Sequence, residues 1–545
     1  MTANKSNPII GIMLEGFQVF EKPTYIPLDR LTLLFGPNSA GKSAVQDAID
    51  LYAALMSRET AGSYMQFYEA KALLARHWRR TGCSDDSRVD KLSIGVVHTT
   101  QVDIHSVLEY QLERKIWGEF LARNGHAWEL ENRWYFERYE QEGEDIEFTT
   151  RFEFLIESVM LVKHSNTELQ LNLKHPLLSQ TELKVDFAAL AKTYPDEVTL
   201  DNGQLIIRGL FLDFHPRGAR NGQHHDRWMT YHTSQGLKHV SNDKSTFFSA
   251  AIVELNVVLD CILDTAIGNS RFIPSKVDAS RLVPSRQALT FQIGNLYDAM
   301  QQMPFPEEPI YRKLAESLAS ELTNVQVAFS NPADRRKYAD AVNHALADHL
   351  FLEQGYRLDF DFRLLMSEAN SKAGLIEGMG LDPSEFGFLV EIHLRDGAGR
   401  KHLFQDVGSG IGYLLPVLCA VYEKRPGVES TCFIQQPELH IHPALQAAMG
   451  DVFIEGCDDD SQILIETHSE HLLLRILKRI RQTHLQVAIA PELKINADDV
   501  CVLYFDPSPD GTTTVKHLRI SEDGEFMDRW PRGFFSERDQ ELLDE

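Results

Sequence analysis

Apolar runs of strand length, each followed by a polar turn and a helical pattern, mark both ends of the chain. The segment LTLLF at 31–35 has the length and composition of a buried parallel strand. The segment IIGIMLEGF at 9–17 predicts a further short strand that ends at Gly16. The helical pattern after LTLLF has its apolar positions at Val45, Ile49, Leu51, Tyr52 and Leu55.

Three segments near the C-terminus repeat this pattern. The segment TCFIQQPELHIHPALQ at 431–446 predicts a buried strand, a turn at Pro437 and a helix that begins near Pro443. The segment ILIETHSEHLLLRILKRI at 463–480 predicts another buried strand and then a helix. Upstream, the glycine-rich turn in the segment 406–422 opens an apolar helix. Strands that alternate with helices in this way indicate an α/β fold.

The middle of the chain has a weaker pattern. It is a mixed β region to about residue 210, and more helical segments follow at 245–266 and 310–351. Neither part sustains apolar positions at heptad spacing, which excludes long coiled-coil arms. Residues 390–404 predict a hairpin around Asp396 and Gly397.

A phosphate-binding loop joins the strand at 31–35 to its helix. The segment GPNSAGKS at 36–43 fits the pattern G-x-x-x-x-G-K-[ST], and the flanking strand and helix are the context that this motif requires. Its glycines let backbone N–H groups approach phosphate oxygens. Lys42 is expected on the β- and γ-phosphates and the Ser43 hydroxyl on Mg²⁺. The residues predicted to bind the nucleotide here are Asn38, Ser39, Ala40, Gly41, Lys42 and Ser43.

Composition narrows the function classes. The 545 residues include 79 acidic and 54 basic side chains, which gives a net charge of −25. DNA and anionic lipid would repel such a surface as a whole, although a local basic groove stays open. No apolar run approaches the ~18 residues of a membrane span, and the N-terminus lacks a signal-peptide pattern. The six cysteines have no paired spacing and predict buried, reduced thiols in a cytoplasmic protein.

Four motifs in order resemble those of the ABC-type ATPases of the SMC, RecF and OLD group. The motifs are Walker A at 36–43, the ABC signature at Gly408-Ser409-Gly410, Walker B at 431–438 followed by a D-loop at 440–443, and the switch histidine His468. More specifically, QQPELHIHP, THSEHL and the tail GEFMDRWPRGFF resemble the PtuA-like ATPases of Septu-type and retron-associated antiphage systems. The resemblance covers the two ends of the chain.

The resemblance implies an α/β, ABC-type P-loop ATPase head, with a mixed sheet and flanking helices. A large α+β insertion would separate Walker A from the signature. The expected units are an N-terminal part of the head at 1–60, a β-rich part at 61–210, a helical insertion at 211–385 and the C-terminal part of the head at 386–545.

The resemblance also implies that two subunits bind ATP between them, with Mg²⁺. One subunit would offer Walker A and the other would offer Gly408, Ser409 and Gly410, whose backbone and following helix favour an anion. We therefore expect a homodimer or a higher homo-oligomer and no contact with a membrane.

The chain departs from the family at the positions that usually carry carboxylates. These are Gln435, expected to help hold Mg²⁺, and Gln436, expected beside the attacking water. Neutral amides can orient water but cannot take its proton, so we expect ATP hydrolysis that is slow or conditional. Glu438 and Glu466 are the nearest carboxylates that could substitute, although a helix N-terminal charge and a solvated strand end are the simpler explanations for them. His468 is expected to sense the γ-phosphate.

Several functions stay open on these grounds. The resemblance implies a regulatory ATPase of an antiphage complex that restrains a separate HNH-type nuclease, with a retron reverse transcriptase and its short DNA–RNA as further candidate partners. The alternative is a RecF- or SMC-like DNA-repair clamp, against which the acidic charge and the missing arms argue. A transporter ATPase has no feature in its favour. Too few residues follow His468 for the Toprim nuclease domain of OLD proteins.

Three further clusters have simpler interpretations. Five histidines lie between His215 and His239 beside arginines, but no ββα context for an HNH site is apparent, so we interpret them as a partner-facing loop. The basic clusters at 76–80 and 478–481 could contact nucleic acid and are interpreted as exposed helix faces.

Overall fold

The structure is a computed structural model. It describes residues 9–56, 74, 91–101, 127–138, 148–156, 158–164, 168–179, 185–208, 210–211, 229–233, 236–240, 255, 259, 273–278, 289–293, 332–365, 387–404, 406–423, 430–458 and 461–531.

Strands and helices are numbered in chain order. The strands are β1 (Ile9–Glu15), β2 (Thr24–Pro27), β3 (Leu31–Phe35), β4 (Lys91–Gln101), β5 (Ala127–Arg138), β6 (Phe148–Ile156), β7 (Ser158–His164), β8 (Glu168–Asn172), β9 (Val198–Asp201), β10 (Gln204–Arg208), β11 (Leu210–Phe211), β12 (Met229–Thr233), β13 (Gly236–Val240), β14 (Ile273–Asp278), β15 (Leu289–Ile293), β16 (Arg357–Leu365), β17 (Gly387–Arg395), β18 (Lys401–His402), β19 (Ser430–Gln435), β20 (Ser461–Glu466), β21 (Val500–Pro507) and β22 (Thr513–His517). The helices are α1 (Lys42–Met56), α2 (Pro176–Ser179), α3 (Phe187–Thr193), α4 (Pro332–His344), α5 (Ser409–Tyr422), α6 (Pro443–Gly456) and α7 (Glu470–His484), with a π-helical segment at Ala345–Leu350 and 3₁₀ turns at Pro491–Leu493 and Ala497–Asp499.

A six-stranded sheet in the order β14-β19-β20-β3-β21-β22 carries the predicted motifs. Its strands are parallel except β22, and β3 and β20 are buried at every position. The register pairs Gln435 with Glu466, and Glu466 with Leu34. Walker A, Walker B and the switch segment therefore leave the sheet at the same edge, where α/β folds bind their ligands.

Apolar side chains cover both faces of this sheet. On one face, α1 and strands β1 and β4 enclose a core that includes Phe20, Tyr52 and Phe505. On the other face, helices α4 to α7 form a second core. Charged side chains also connect two helices of this core, because Asp451 on α6 accepts hydrogen bonds from Arg475 and Arg479 on α7.

Three further sheets, one of nine strands and two smaller ones, are present in the described residues. Strands β2-β1-β4-β5-β6-β7-β8-β10-β9 form a nine-stranded antiparallel sheet, β11-β12-β13 form a three-stranded one, and β15-β17-β16 form a third with β18 paired to β17. The hairpin predicted around Asp396 and Gly397 is confirmed as β17 and β18.

The strand and helix predictions at the two chain ends are confirmed, and the middle contains an unforeseen core strand. β14, from the segment expected to be a helical insertion, pairs with the Walker B strand β19. The unit boundaries at 60, 210 and 385 stay predictions. None of the helices in the described ranges is long and apolar enough to span a membrane.

Several sequence predictions fall partly or wholly outside the described residues. The basic cluster at 76–80 lies outside them, and of the five clustered histidines only His232 and His239 lie within described strands. The cysteines that are described are buried, and none of them forms a disulfide: Cys419, Cys432, Cys457 and Cys501.

Candidate nucleotide-binding site

The Walker A loop connects β3 to α1 through backbone conformations that favour glycine. Gly36 has φ +135° and Gly41 has φ +93°. A Cβ at Gly36 would lie 2.5 Å from the Phe505 carbonyl oxygen, and one at Gly41 would lie 2.3 Å from Cγ2 of Val19. The two glycines therefore let the loop pack closely against β21 and the turn after β1 while its N–H groups wrap around an anion.

Lys42, the first residue of α1, is held inside this loop. Its Nζ donates hydrogen bonds of 2.9 Å to the carbonyl oxygens of Gly36 and Pro37, and it lies 3.5 Å from Oε1 of Glu466. The side chain is only 2% exposed. Burial lowers the pKa of Lys42, while Glu466 opposes that shift. The loop thus carries a buried ammonium group close to an acid from the neighbouring strand.

Glu466 lies at the centre of a polar cluster between Walker A and Walker B. Ser43 Oγ donates to Oε2 of Glu466 at 3.3 Å. The Gln435 amide nitrogen is 3.2 Å from Ser43 Oγ and 3.2 Å from Oε2 of Glu466. The parallel register of β19 and β20 produces this arrangement, because it places the last residues of both strands side by side.

The cluster has the donor types that Mg²⁺ takes in proteins. Ser43 supplies a hydroxyl and Glu466 a carboxylate, and Gln435 supplies a carbonyl oxygen once its amide is turned over. The residues present therefore fit the metal that a Walker A loop implies. The carboxylate comes from the switch strand β20 and not from the Walker B strand.

Glu438 holds the switch segment in place. Its Oε2 accepts a 2.8 Å hydrogen bond from Thr467 Oγ1, and its Oε1 accepts a 2.7 Å bond from the backbone N–H of His468. Burial raises the pKa of Glu438, and these bonds oppose that shift. Burial also lowers the pKa of His468, with a further contribution from the charge of Lys42, which favours the neutral imidazole.

The turn after Walker B is tied to the switch strand. Gln436 has φ +48°, and its backbone N–H donates to the carbonyl oxygen of Glu466 at 2.7 Å. Four residues later, His440 has φ +64° and stacks on Tyr413 with ring centroids 4.5 Å apart. The D-loop is thereby attached to the helix that follows the signature.

The signature residues lie at the start of α5, as predicted. Gly408 caps this helix, and apart from its chain neighbours no described residue has an atom within 4 Å of the position that a Cβ would take there. At Gly410 a Cβ would lie 3.6 Å from the His440 carbonyl oxygen. Ser409 is the first helical residue. The signature thus lies beside the D-loop of its own chain.

Most of the predicted site residues lie together in the structure, whereas the signature residues 408–410 lie apart from them, beside the D-loop. Lys42, Ser43 and Gln435 converge on Glu466, and Glu438 contacts the segment that carries His468. The other Walker A residues form the loop, in which Asn38 and Ser39 are exposed and Ala40 is buried. Sequence analysis missed Thr467 and Tyr413, whose roles depend on contacts across the sheet and between helices.

Comparisons with known families agree with this geometry. Residues 307–473 match the family described as AAA ATPase domain (AAA_15), which spans the signature, Walker B and switch segments. Residues 495–544, including the C-terminal tail, match a protein of unknown function, DUF3696. No curated protein matches the chain significantly. The chain therefore has an α/β, P-loop ATPase fold, and the matching family model covers 167 of its 545 residues.

Solved SMC head domains are among the structures that match. The SMC head bound to the C-winged helix domain of ScpA is 11% identical, with a TM-score of 0.36 over 94% of this chain and 98% of that chain. The SMC head domain from Thermotoga maritima is 10% identical, with a TM-score of 0.34 over 94% and 99%. The SMC head from Pyrococcus furiosus, with an extended coiled coil and bound to the C-terminal domain of ScpA, is 9% identical, with a TM-score of 0.35 over 99% of both chains. These likenesses are too weak to carry a functional argument.

Proposed function

We propose that this chain is an ATP-binding switch whose ATP hydrolysis is slow. The observation that carries the proposal is the convergence of Lys42 and Ser43 of Walker A on Glu466, beside the amide of Gln435. In this arrangement Lys42 would bind the β- and γ-phosphates, and Ser43 and Glu466 would hold Mg²⁺. Mg²⁺ supplies neutralisation of the developing phosphate charge.

Slow hydrolysis follows from the groups beside the attacking water. Gln436 can orient a water molecule but cannot accept its proton. The oxygens of Glu438 accept hydrogen bonds from Thr467 Oγ1 and from the backbone N–H of His468, so this carboxylate is directed toward the switch segment. We therefore assign Glu438 to positioning the switch segment and His468 to contacting the γ-phosphate.

The open position of Gly408 supports a second element of the proposal. Apart from its chain neighbours, no described residue has an atom within 4 Å of the Cβ position, so a phosphate of another subunit can approach the N-terminus of α5. Two copies would then bind ATP between the Walker A loop of one and the signature of the other. Closing the dimer would be the output of the switch.

The test measures ATP binding and turnover separately. Lys42→Ala is expected to abolish ATP binding, because it removes the cation at the phosphates. Gln436→Glu is expected to raise turnover by at least about tenfold, since general-base assistance contributes about 10²–10⁴-fold. Gln204→Glu, the same change at the exposed first residue of β10, is the matched control. Normal ATP binding by Lys42→Ala would overturn the site, and unchanged turnover in Gln436→Glu would overturn the explanation of slow hydrolysis.

The finer role that we propose is regulation of a separate HNH-type nuclease within an antiphage complex. It rests on the resemblance of the Walker B, switch and tail segments and on the slow-switch chemistry. A pull-down from the native host should recover a small nuclease, with or without a reverse transcriptase and its short nucleic acid. Recovery of repair proteins on DNA ends would favour the RecF- or SMC-like clamp instead.

A further inference from the structure

A cluster of metal-binding side chains lies away from the nucleotide site, where the π-helical segment meets the end of α6. His344, His349 and Glu455 each direct one possible ligand atom toward the others, and these atoms all lie within 4.8 Å of one another. His349 Nε2 is 2.8 Å from Oε2 of Glu455, and the His344 and His349 rings have centroids 5.0 Å apart. The ATPase proposal makes no use of these residues.

The π-helical geometry is what brings the two histidines together. They are five positions apart, and in an α-helix with 3.6 residues per turn such positions point about 140° away from each other. Residues 345–350 instead form a π-helix, in which Phe351 N–H donates to the Leu346 carbonyl five residues back. A spacing of five residues then corresponds to about one turn, so His344 and His349 lie on the same side of the helix.

We propose that His344, His349 and Glu455 bind a divalent transition-metal ion of the zinc type. Two imidazoles and one carboxylate form a ligand set that Zn²⁺ commonly takes, with a fourth position left for water. Ligands of tetrahedral Zn²⁺ lie about 3.3 Å apart, so the cluster needs only a modest contraction. His344 can supply it, because its side chain is 42% exposed whereas those of His349 and Glu455 are largely buried.

Asp348 supplies the orienting contact that such a site requires. Its Oδ2 lies 2.8 Å from Nδ1 of His344, which leaves Nε2 of that ring for the metal. A histidine that binds a metal typically donates its other N–H to a carboxylate in this way. Arg357 lies 3.6 Å from the same oxygen and balances its charge, so Asp348 acts on the histidine and not on the ion.

The bound ion would join two parts of the fold. Residues 345–350 lead into β16, whereas α6 begins at Pro443, immediately after the D-loop. Glu455 lies about 18 Å along α6 from Pro443, at a rise of 1.5 Å per residue, so the ion is separate from the nucleotide's Mg²⁺. Because the ion binds only the folded arrangement, occupancy should stabilise the head.

The test titrates Zn²⁺ into the untagged, full-length chain, freed of metal by chelation, with Mg²⁺ in excess. Calorimetry should give one Zn²⁺ per chain, and Co²⁺ used in its place should give the visible absorption of tetrahedral coordination. His344→Ala combined with His349→Ala should lose the ion. Glu455→Gln keeps the side-chain shape, so it tests the same loss where the double variant does not fold.

Two further variants separate this site from ordinary histidine–carboxylate pairs. Asp348→Asn should weaken Zn²⁺ binding by about 10- to 100-fold. His402→Ala is the matched control and should leave binding unchanged, because His402 lies 3.0 Å from Asp396 and no described residue completes a three-ligand group with them. An absence of Zn²⁺ binding in the wild type would overturn the proposal. So would wild-type stoichiometry and affinity in Glu455→Gln, which would assign the ion to other histidines.

Discussion

Replacing Glu466 with glutamine tests whether this carboxylate holds the metal or only neutralises Lys42. The two groups are 3.5 Å apart and their side chains are 10% and 2% exposed. At an effective dielectric constant near 20, this pair attracts by about 5 kcal/mol before the desolvation cost. Lys42 keeps its bonds to two loop carbonyls in the variant, so the net loss of unfolding free energy should be about 1–3 kcal/mol.

Whether Glu466→Gln raises or lowers the affinity for ATP depends on the role of Glu466. Without Mg²⁺ the carboxylate repels phosphate, so Glu466→Gln should bind ATP more tightly than wild type in chelator. With Mg²⁺ the wild type gains affinity through the Glu466–metal contact, and the variant should lose most of that gain. We expect the ratio of the ATP dissociation constants without and with Mg²⁺ to fall by at least about tenfold, which corresponds to about 1.4 kcal/mol.

The assay is calorimetric titration of ATP in chelator and in excess Mg²⁺, with denaturant unfolding of each protein. Glu470→Gln is the matched control, because it removes the same charge from the first turn of α7, four residues further along the chain. A variant that keeps the wild-type Mg²⁺ ratio would refute a metal-binding Glu466. Tighter ATP binding under both conditions would leave neutralisation of Lys42 as its role.

Three other predictions follow from contacts in the head. Asp451→Asn should lower the unfolding free energy by about 2–3 kcal/mol, since its two partly exposed arginine partners on α7 lose their carboxylate. Burial raises the pKa of Asp451, but hydrogen bonds from these arginines outweigh burial and lower it below its ordinary 3.8. In denaturant titrations the difference from wild type should therefore be complete above pH 3.8 and shrink as the pH falls through the lowered pKa. Trp530→Ala should cost about 2–3 kcal/mol in the same measurement, because this half-buried tail residue packs edge-on against the last residue of β3. Gly41→Ala should weaken ATP binding in calorimetry by at least about tenfold, since φ +93° and the contact with the turn after β1 exclude a side chain; wild-type affinity in this variant would contradict the loop geometry.

Several features of the head could be predicted from the sequence because they depend on neighbours along the chain. The strand–loop–helix unit around 36–43 and the two C-terminal strand–helix units are encoded by local apolar runs, glycines and helix-capping residues. For example, Ser469 caps α7 by accepting a hydrogen bond from the Leu472 N–H. Such signals act within a few residues, so they specify where an element begins and ends without reference to the rest of the fold.

The position of Glu466 and the pairing of β14 with β19 could be recognised only from the tertiary structure. The sequence could name Glu466 only as one of two nearby carboxylates, because its position beside Lys42 follows from the order of β19, β20 and β3 in the sheet. The sequence likewise predicted helix through 310–351, whereas a change of helix type after His344 aligns that residue with His349. Strand order and helix type depend on packing between segments hundreds of residues apart, and a local pattern does not record which of those segments meet.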